Sequence, residues 1–205
     1  MTTVLLALHY QNEVVHERGN IRVGVSAAGG SRASVVAKAA ELLAGARAAQ
    51  IPVVSARIAF RPDHADVIQN CRIFRDVVAN KAMAEGSWGA DFYEGLGPAP
   101  GEHVVKHTRV NAFYGSPLEE VLRVLGATRL IVAGIATNSV VETTVRHAAD
   151  IGYEVAVVAD ACSSGRPELH EASLASMAYV ADVLTVADLV ARAWTFGNAV
   201  GRARE

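Results

Sequence analysis

Side chains that could do chemistry stand at three points where an apolar stretch of the sequence ends. His9 and Asn12 follow residues 3–8, Lys106 lies near the end of residues 103–107, and Ser139 follows residues 129–136. A histidine at a strand end is either a general acid or base near neutral pH or a hydrogen-bonded residue that fills the strand end. A serine can act as a nucleophile when a base lies within hydrogen-bond reach. A lysine in a buried strand is costly unless it is paired or used. These residue types suit acid–base and nucleophilic chemistry.

The apolar stretches alternate with segments of helical periodicity. We predict six strands, at residues 3–8, 51–59, 103–107, 129–136, 153–159 and 183–184. Parallel strands need helical crossovers and are buried on both faces, so the pattern predicts an α/β fold of three layers, doubly wound around a six-stranded, mostly parallel sheet. We expect one domain over residues 1–205. In such folds the functional cleft lies beyond the carboxyl ends of the strands, where the strand order reverses.

Composition excludes several classes of protein. The 205 residues are 51% hydrophobic and 20% charged, with a net charge of −2 that is not gathered into a basic stripe. We therefore expect no nucleic-acid partner, and the absence of a long apolar run predicts no membrane span. The first residues do not have the pattern of a secretion signal. The two cysteines, Cys71 and Cys162, do not suggest a disulfide framework. We expect a cytoplasmic protein.

Several stretches of the chain resemble the isochorismatase-like hydrolases, also called the cysteine hydrolase superfamily. They run from Val104-Val105-Lys106-His107 to Asn111-Ala112-Phe113-Tyr114-Gly115, then through Gly134-Ile135-Ala136-Thr137-Asn138, Glu142-Thr143-Thr144, Asp160-Ala161-Cys162 and His170-Glu171-Ala172-Ser173-Leu174. The order, spacing and residue types agree over nearly the whole chain. The resemblance implies the doubly wound fold and a small-molecule substrate.

The amide-cleaving members of this family use an aspartate, a lysine and a cysteine. The aspartate belongs to an Asp-x-Gln-Asn segment, where this sequence has His9, and the lysine corresponds to Lys106. The cysteine follows a Gly-x-x-Thr segment, and counting from Gly134 places Val140 there. The neighbouring Ser139 is either a substitute nucleophile or, more simply, a helix cap, since one residue along a helix turns a side chain by about 100°.

The resemblance also suggests which residues surround a ligand. In the family a cis peptide before the threonine shapes an oxyanion hole, and the corresponding bond is Ile135–Ala136. Arg109 either contacts a carboxylate or points to solvent. The aromatic side chains either line the pocket or belong to the core. The predicted binding residues are Tyr10, Asn12, Trp88, Arg109, Phe113, Ile135, Ala136, Asn138 and Val140.

We predict no metal and no cofactor. The metal site of nicotinamidases uses an aspartate and two histidines, and the pair Asp63-His64 lacks the second histidine. Cys162 is expected to be a buried apolar residue, and the role of Cys71 is left open. Alanine-rich helices suit packing between subunits, and the family commonly forms dimers or tetramers, so we expect a homo-oligomer.

Two hypotheses for function follow. The first is an isochorismatase-like hydrolase that acts on a small carbonyl, amide or enol-ether compound through His9, Lys106 and Ser139, without a covalent cysteine intermediate. The second is a non-catalytic descendant that binds a small molecule or serves as an oligomeric scaffold. A conventional cysteine amidase would require Cys71 or Cys162 to reach the cleft. Burial of Lys106 away from any cavity would contradict its assigned role.

Overall fold

The structure is a computed structural model that describes residues 1–21 and 30–196. The described residues form six strands, β1 (Thr2–Leu8), β2 (Val53–Ile58), β3 (His103–His107), β4 (Ala127–Gly134), β5 (Glu154–Val158) and β6 (Asp182–Leu184). They also form seven α-helices, α1 (Asn12–Val15), α2 (Gly30–Ala48), α3 (Arg72–Ala79), α4 (Leu118–Val124), α5 (Glu142–Asp150), α6 (Pro167–Met177) and α7 (Val186–Ala191). The domain expected over residues 1–205 includes residues 22–29 and 197–205, which lie outside the described residues.

The six strands form one sheet in the order β3-β2-β1-β4-β5-β6. Every neighbouring pair is parallel. The chain winds outward from β1 to β3, returns to β4 beside β1, and then winds outward in the other direction, so the order reverses between β1 and β4. The predicted three-layer, doubly wound α/β fold is confirmed, and the sheet is parallel throughout.

The central strands lie in the core because their side chains are apolar on both faces. Consecutive residues point to opposite faces of a sheet, and Val4, Leu5 and Leu6 of β1 are all 0% exposed, as are Leu130 and Ile131 of β4. Burying apolar surface on both faces is what a parallel sheet covered by helices requires. Strand β3 differs because it lies at the edge, where its residues alternate between exposed and buried from Val104 to His107.

Strands β1 and β4 meet closely at their carboxyl ends, where Leu8 is paired with Gly134. A Cβ atom at Gly134 would lie 2.2 Å from the carbonyl oxygen of Leu8, so only glycine fits. The next residue, His9, has a φ of 54°, in the left-handed region that few side chains adopt. This conformation turns the chain out of β1 and starts the loop that carries the histidine.

The helices of the described ranges include none that is both long and apolar enough to cross a membrane.

Candidate active site

A small cavity of about 50 Å³ lies beyond the carboxyl ends of the strands, where the strand order reverses. A volume of this size accommodates water and the reacting end of a small compound. Its described lining is mostly apolar, with three polar side chains, His9, Arg109 and Ser139. The apolar lining residues are Val14, Ile21, Ile58, Ile73, Phe74, Val77, Met83, Val110, Ile135 and Ala136.

Two imidazoles meet at this cavity. The Nε2 atoms of His9 and His107 lie 2.6 Å apart, a hydrogen-bond distance, and the two rings stack with centroids 4.7 Å apart. His9 follows β1 and His107 ends β3, so the rings approach each other across the end of the intervening strand β2. His9 is 7% exposed and His107 is 1% exposed. One ring must donate a proton and the other accept it, which makes them one acid–base unit.

Burial keeps both imidazoles neutral. It lowers the pKa of His9 well below its ordinary value, and the neighbouring His107 lowers it further. Burial likewise lowers the pKa of His107 to about 4, although the backbone of Arg109 opposes the shift. The Nδ1 atom of His107 has no hydrogen-bond partner of normal geometry among the described residues. Near pH 7 the pair therefore exists in its uncharged, proton-accepting form.

Lys106 does not reach the cavity. Its side chain is 45% exposed, and its Nζ donates to Glu85 at 2.7 Å. Glu85 also accepts from Arg57, which is paired with Lys106 in the register of β2 and β3. The prediction that Lys106 lies in the cleft is wrong, because successive side chains of a strand point to opposite faces. The inward position belongs to His107, which is 1% exposed and for which we predict no role from the sequence.

The loop after β1 is fixed by buried amides. Gln11 is 0% exposed, donates to the carbonyl oxygens of Ile58 and Ala90, and accepts from the Ile58 N–H. Asn12, predicted to contact ligand, instead donates its Nδ2 to the carbonyl oxygen of Trp88 at 2.9 Å. These contacts hold the loop that carries His9 against β2 and the chain near Trp88.

The segment after β4 forms the opposite wall. The Ile135–Ala136 peptide is cis, as the family resemblance implies, and both residues line the cavity. Ser139 lies in Thr137–Val141, a segment that is kinked at Asn138 and precedes α5. The Ser139 hydroxyl forms no capping hydrogen bond among the described contacts, so the structure gives the helix-cap alternative no support. The Ser139 side chain borders the cavity, but no hydrogen bond joins its hydroxyl to His9 among the described contacts.

The remaining predicted binding residues do not line the cavity. Tyr10 is 1% exposed and donates its hydroxyl to the carbonyl oxygen of Ala161. Phe113 stacks on His147, and Trp88 contacts His16. The other two are Asn138, which accepts from Ser164, and Val140, which is 1% exposed in the core. The core alternative for the aromatic residues is therefore the one the structure supports for Tyr10 and Phe113.

Arg109 borders the mouth of the cavity. Its guanidinium lies 3.8 Å from the centre of the Phe74 ring. Its Nη1 donates to the carbonyl oxygen of Ile68 at 3.0 Å, and its Nη2 donates to Oδ1 of Asn70 at 2.8 Å. Neither acceptor carries a charge, so a positive group is held at the entrance to a neutral, apolar cavity.

The sequence over residues 3–188 matches the model of the isochorismatase domain. The chain belongs to the isochorismatase family. It is 34% identical over 192 residues to the ureidoacrylate amidohydrolase RutB of Methylobacterium radiotolerans, covering 86% of this chain and 73% of that protein. A second such protein, from Methylorubrum extorquens, is 32% identical over 190 residues, covering 84% and 75%. The resemblance found in the sequence is confirmed.

Solved structures of the isochorismatase family share the fold. A family protein from Desulfovibrio vulgaris is 28% identical, with a TM-score of 0.83 over 95% of this chain and 99% of that one. A cysteine hydrolase from Pseudomonas syringae is 26% identical, with a TM-score of 0.82 over 93% and 91%.

In this isochorismatase-family chain neither cysteine lines the cavity. Cys162 is 3% exposed, and burial raises the pKa of its thiol to about 12. Cys71 is partly buried and precedes α3. Asp63 pairs with Arg61, and His64 contacts the carbonyl oxygen of Ala82. Within residues 1–21 and 30–196, no three His, Cys, Asp or Glu side chains gather as metal ligands would.

Proposed function

We propose that this isochorismatase-family hydrolase cleaves small carbonyl compounds, amides first among them, with water as the nucleophile and the His9–His107 pair as the base. The observation that carries the proposal is the contact of 2.6 Å between two buried imidazoles beside the cavity. A general base must lie at the reacting centre in its unprotonated form, and burial keeps both rings in that form. The amidohydrolase relatives support an amide as the bond attacked.

The neighbouring backbone suggests the arrangement of protons. The backbone of Arg109 favours a proton on the His107 ring. We assign that proton to Nδ1, which leaves Nε2 of His107 to accept from Nε2–H of His9. The lone pair of His9 is then on Nδ1. This assignment gives His9 the role of base and makes His107 the residue that positions it.

The reaction then balances without a covalent intermediate. Nδ1 of His9 takes a proton from water as the water oxygen bonds to the carbonyl carbon. The π electrons of the C=O bond move to the carbonyl oxygen, which becomes negatively charged. The His9 imidazolium that forms is stabilised by its Nε2–H bond to the neutral His107. When the tetrahedral intermediate collapses, the bond to the leaving nitrogen breaks and that nitrogen takes the proton from His9. No thiol takes part, in keeping with Val140 at the position where the family resemblance places the cysteine.

The test is hydrolysis of a panel of small amides, N-carbamoyl compounds and enol ethers, followed by product analysis. We expect turnover by the wild type and a loss of about 100-fold or more in His9→Gln, since general-base catalysis contributes 10² to 10⁴-fold. His107→Gln is expected to lose less, because the base remains but is poorly oriented. His103→Gln is the matched control, since His103 lies on the same strand β3 and is exposed. Equal activity in all four proteins would refute the proposal.

The second candidate is a small-molecule-binding protein without turnover. The strongly lowered pKa of each imidazole favours it, because a base that resists protonation is a weak base. Ligand-induced thermal stabilisation by the same panel, with no product formed even after long incubation, would support this function over hydrolysis.

A further inference from the structure

We propose that Arg109 selects a small compound that carries a carboxylate, and that it holds the carboxylate at the mouth of the cavity. This inference rests on the proposed function only for the turnover of the compound, because the binding of the carboxylate is a separate property. Three features of the site support it: the charge balance of the cavity, the fixed position of the guanidinium and its unused donors.

The charge balance favours an anion. None of the described residues that line the cavity is an aspartate or glutamate, and both histidines of the pair are neutral. No carboxylate forms an ion pair with Arg109 in the described part of the chain, where its hydrogen bonds go to the oxygens of Ile68 and Asn70. Arg57, on β2, differs from Arg109 in that its guanidinium already forms an ion pair with a carboxylate, that of Glu85. Arg109 therefore gives the entrance a positive charge that a ligand can neutralise.

The guanidinium is also held in position before any ligand binds. The Phe74 ring supports one of its faces at 3.8 Å, and two hydrogen bonds fix its rotation. A guanidinium has five N–H donors, and these contacts use only two of them. The others suit a carboxylate, whose two oxygens match the planar fork of arginine. Holding the side chain in advance lowers the entropy that binding costs.

The rest of the cavity determines what accompanies the carboxylate. Phe74, Ile73 and Val77 of α3 line it with apolar surface, and His9 and Ser139 are its other polar side chains. A volume of about 50 Å³ leaves room for a short apolar segment rather than a large ring system. The ligand class is thus a short-chain carboxylic acid whose hydrolysable carbonyl extends toward His9.

Calorimetric titration with propionate and butyrate, each compared with propionamide and butyramide, tests the inference without requiring turnover. The two amides are also titrated into His9→Gln, which is expected to cleave them at least about 100-fold more slowly, so that their affinity is measured before they are hydrolysed. The acid and its amide match in size and differ in charge. We expect the wild type to bind each acid at least about 10-fold more tightly than its amide, and added salt to reduce the difference. Arg109→Gln should abolish the preference, whereas Arg109→Lys should keep part of it and thereby show that the site still folds.

Arg75→Gln is the matched control, because Arg75 lies on α3, is exposed and does not line the cavity. It should bind like the wild type. His107→Gln should keep the preference for acids even though we expect it to impair hydrolysis, so failure of the proposed function and failure of this inference are distinguishable. Equal affinity for acid and amide in the wild type, an unchanged preference in Arg109→Gln, or no saturable binding of either acid would each overturn the inference.

Discussion

Acidification from pH 7 to pH 5 should destabilise the protein through the buried histidine pair. His107 has an ordinary pKa of 6.5 when exposed and a pKa of about 4 in the folded chain. Between these values the unfolded chain binds a proton that the folded chain does not, so the free energy of unfolding falls as the pH falls. The shift spans roughly 2.5 pH units at 1.36 kcal/mol each, which amounts to about 3 kcal/mol over the whole window and about 2 kcal/mol by pH 5.

Other groups affect the interpretation in known ways. The pKa values of Glu85 and Glu102 are lowered by the basic side chains that bond to them, so the stability they provide is lost only as the pH falls below about 4.5. Burial also lowers the pKa of His170, so this residue likewise makes the free energy of unfolding fall as the pH falls below the ordinary pKa of histidine. Comparing variants isolates the pair from these contributions.

Urea unfolding at pH 7, 6 and 5, followed by tryptophan fluorescence at one protein concentration, measures the effect. The wild type should lose about 2 kcal/mol or more between pH 7 and pH 5. A His9→Gln/His107→Gln double variant should lose much less, and His103→Gln should behave like the wild type. If the wild type and the double variant have the same dependence on pH, the two imidazoles are not neutral and buried as described, and the reasoning is refuted.

Three further predictions concern activity and packing. Turnover of any substrate should stay constant between pH 6 and 8 and fall in acid as the pair is protonated, because its pKa values are lowered; a decline centred near pH 6.5 in a pH–rate profile would contradict this. Lys106→Met should leave kcat/KM within about 2-fold of the wild type, because Lys106 is exposed and pairs with Glu85 outside the cavity. A 100-fold loss of kcat/KM would show instead that Lys106 acts in the active site. Gly134→Ala should lower the free energy of unfolding by about 2 kcal/mol or more in urea titration, since its Cβ would clash with the Leu8 carbonyl oxygen; unchanged stability would contradict the close approach of β1 and β4.

The fold could be predicted because its strands are continuous apolar runs. Residues 3–8 and 129–136 are too short for buried helices and too apolar for surface loops, and they became β1 and β4 within one or two residues. The crossover helices and the parallel sheet followed from that alternation. The reversal of strand order then placed the cavity beyond the carboxyl ends of the strands, where His9 and Ser139 were expected.

The prediction placed Lys106 in the cleft, whereas His107 is the residue that lies there beside His9, and the reason is physical. A strand that is buried on both faces, as we predict for residues 103–107, shows no alternation that would tell which side chain points inward. In the structure β3 is the edge strand, with Lys106 exposed and His107 buried. Strand order depends on contacts far apart in sequence. A period-two pattern through Val105 and His107 was the one signal that would have identified the second histidine.

The apolar wall of the cavity could not be predicted either. Ile73, Phe74 and Met83 come from the stretch between β2 and β3, whose pattern is weak. Their position depends on how α3 packs against the sheet, and the sequence of the helix alone does not determine it.

We propose that a histidine-activated water replaces the cysteine nucleophile in this protein. The most direct measurement is turnover by a Cys71→Ser/Cys162→Ser variant, together with the mass of the intact wild-type protein quenched during the reaction. We predict that the cysteine-free variant keeps the kcat/KM of the wild type and that no acyl adduct is present at any time. Loss of turnover in the cysteine-free variant, or an adduct on either cysteine, would contradict the account.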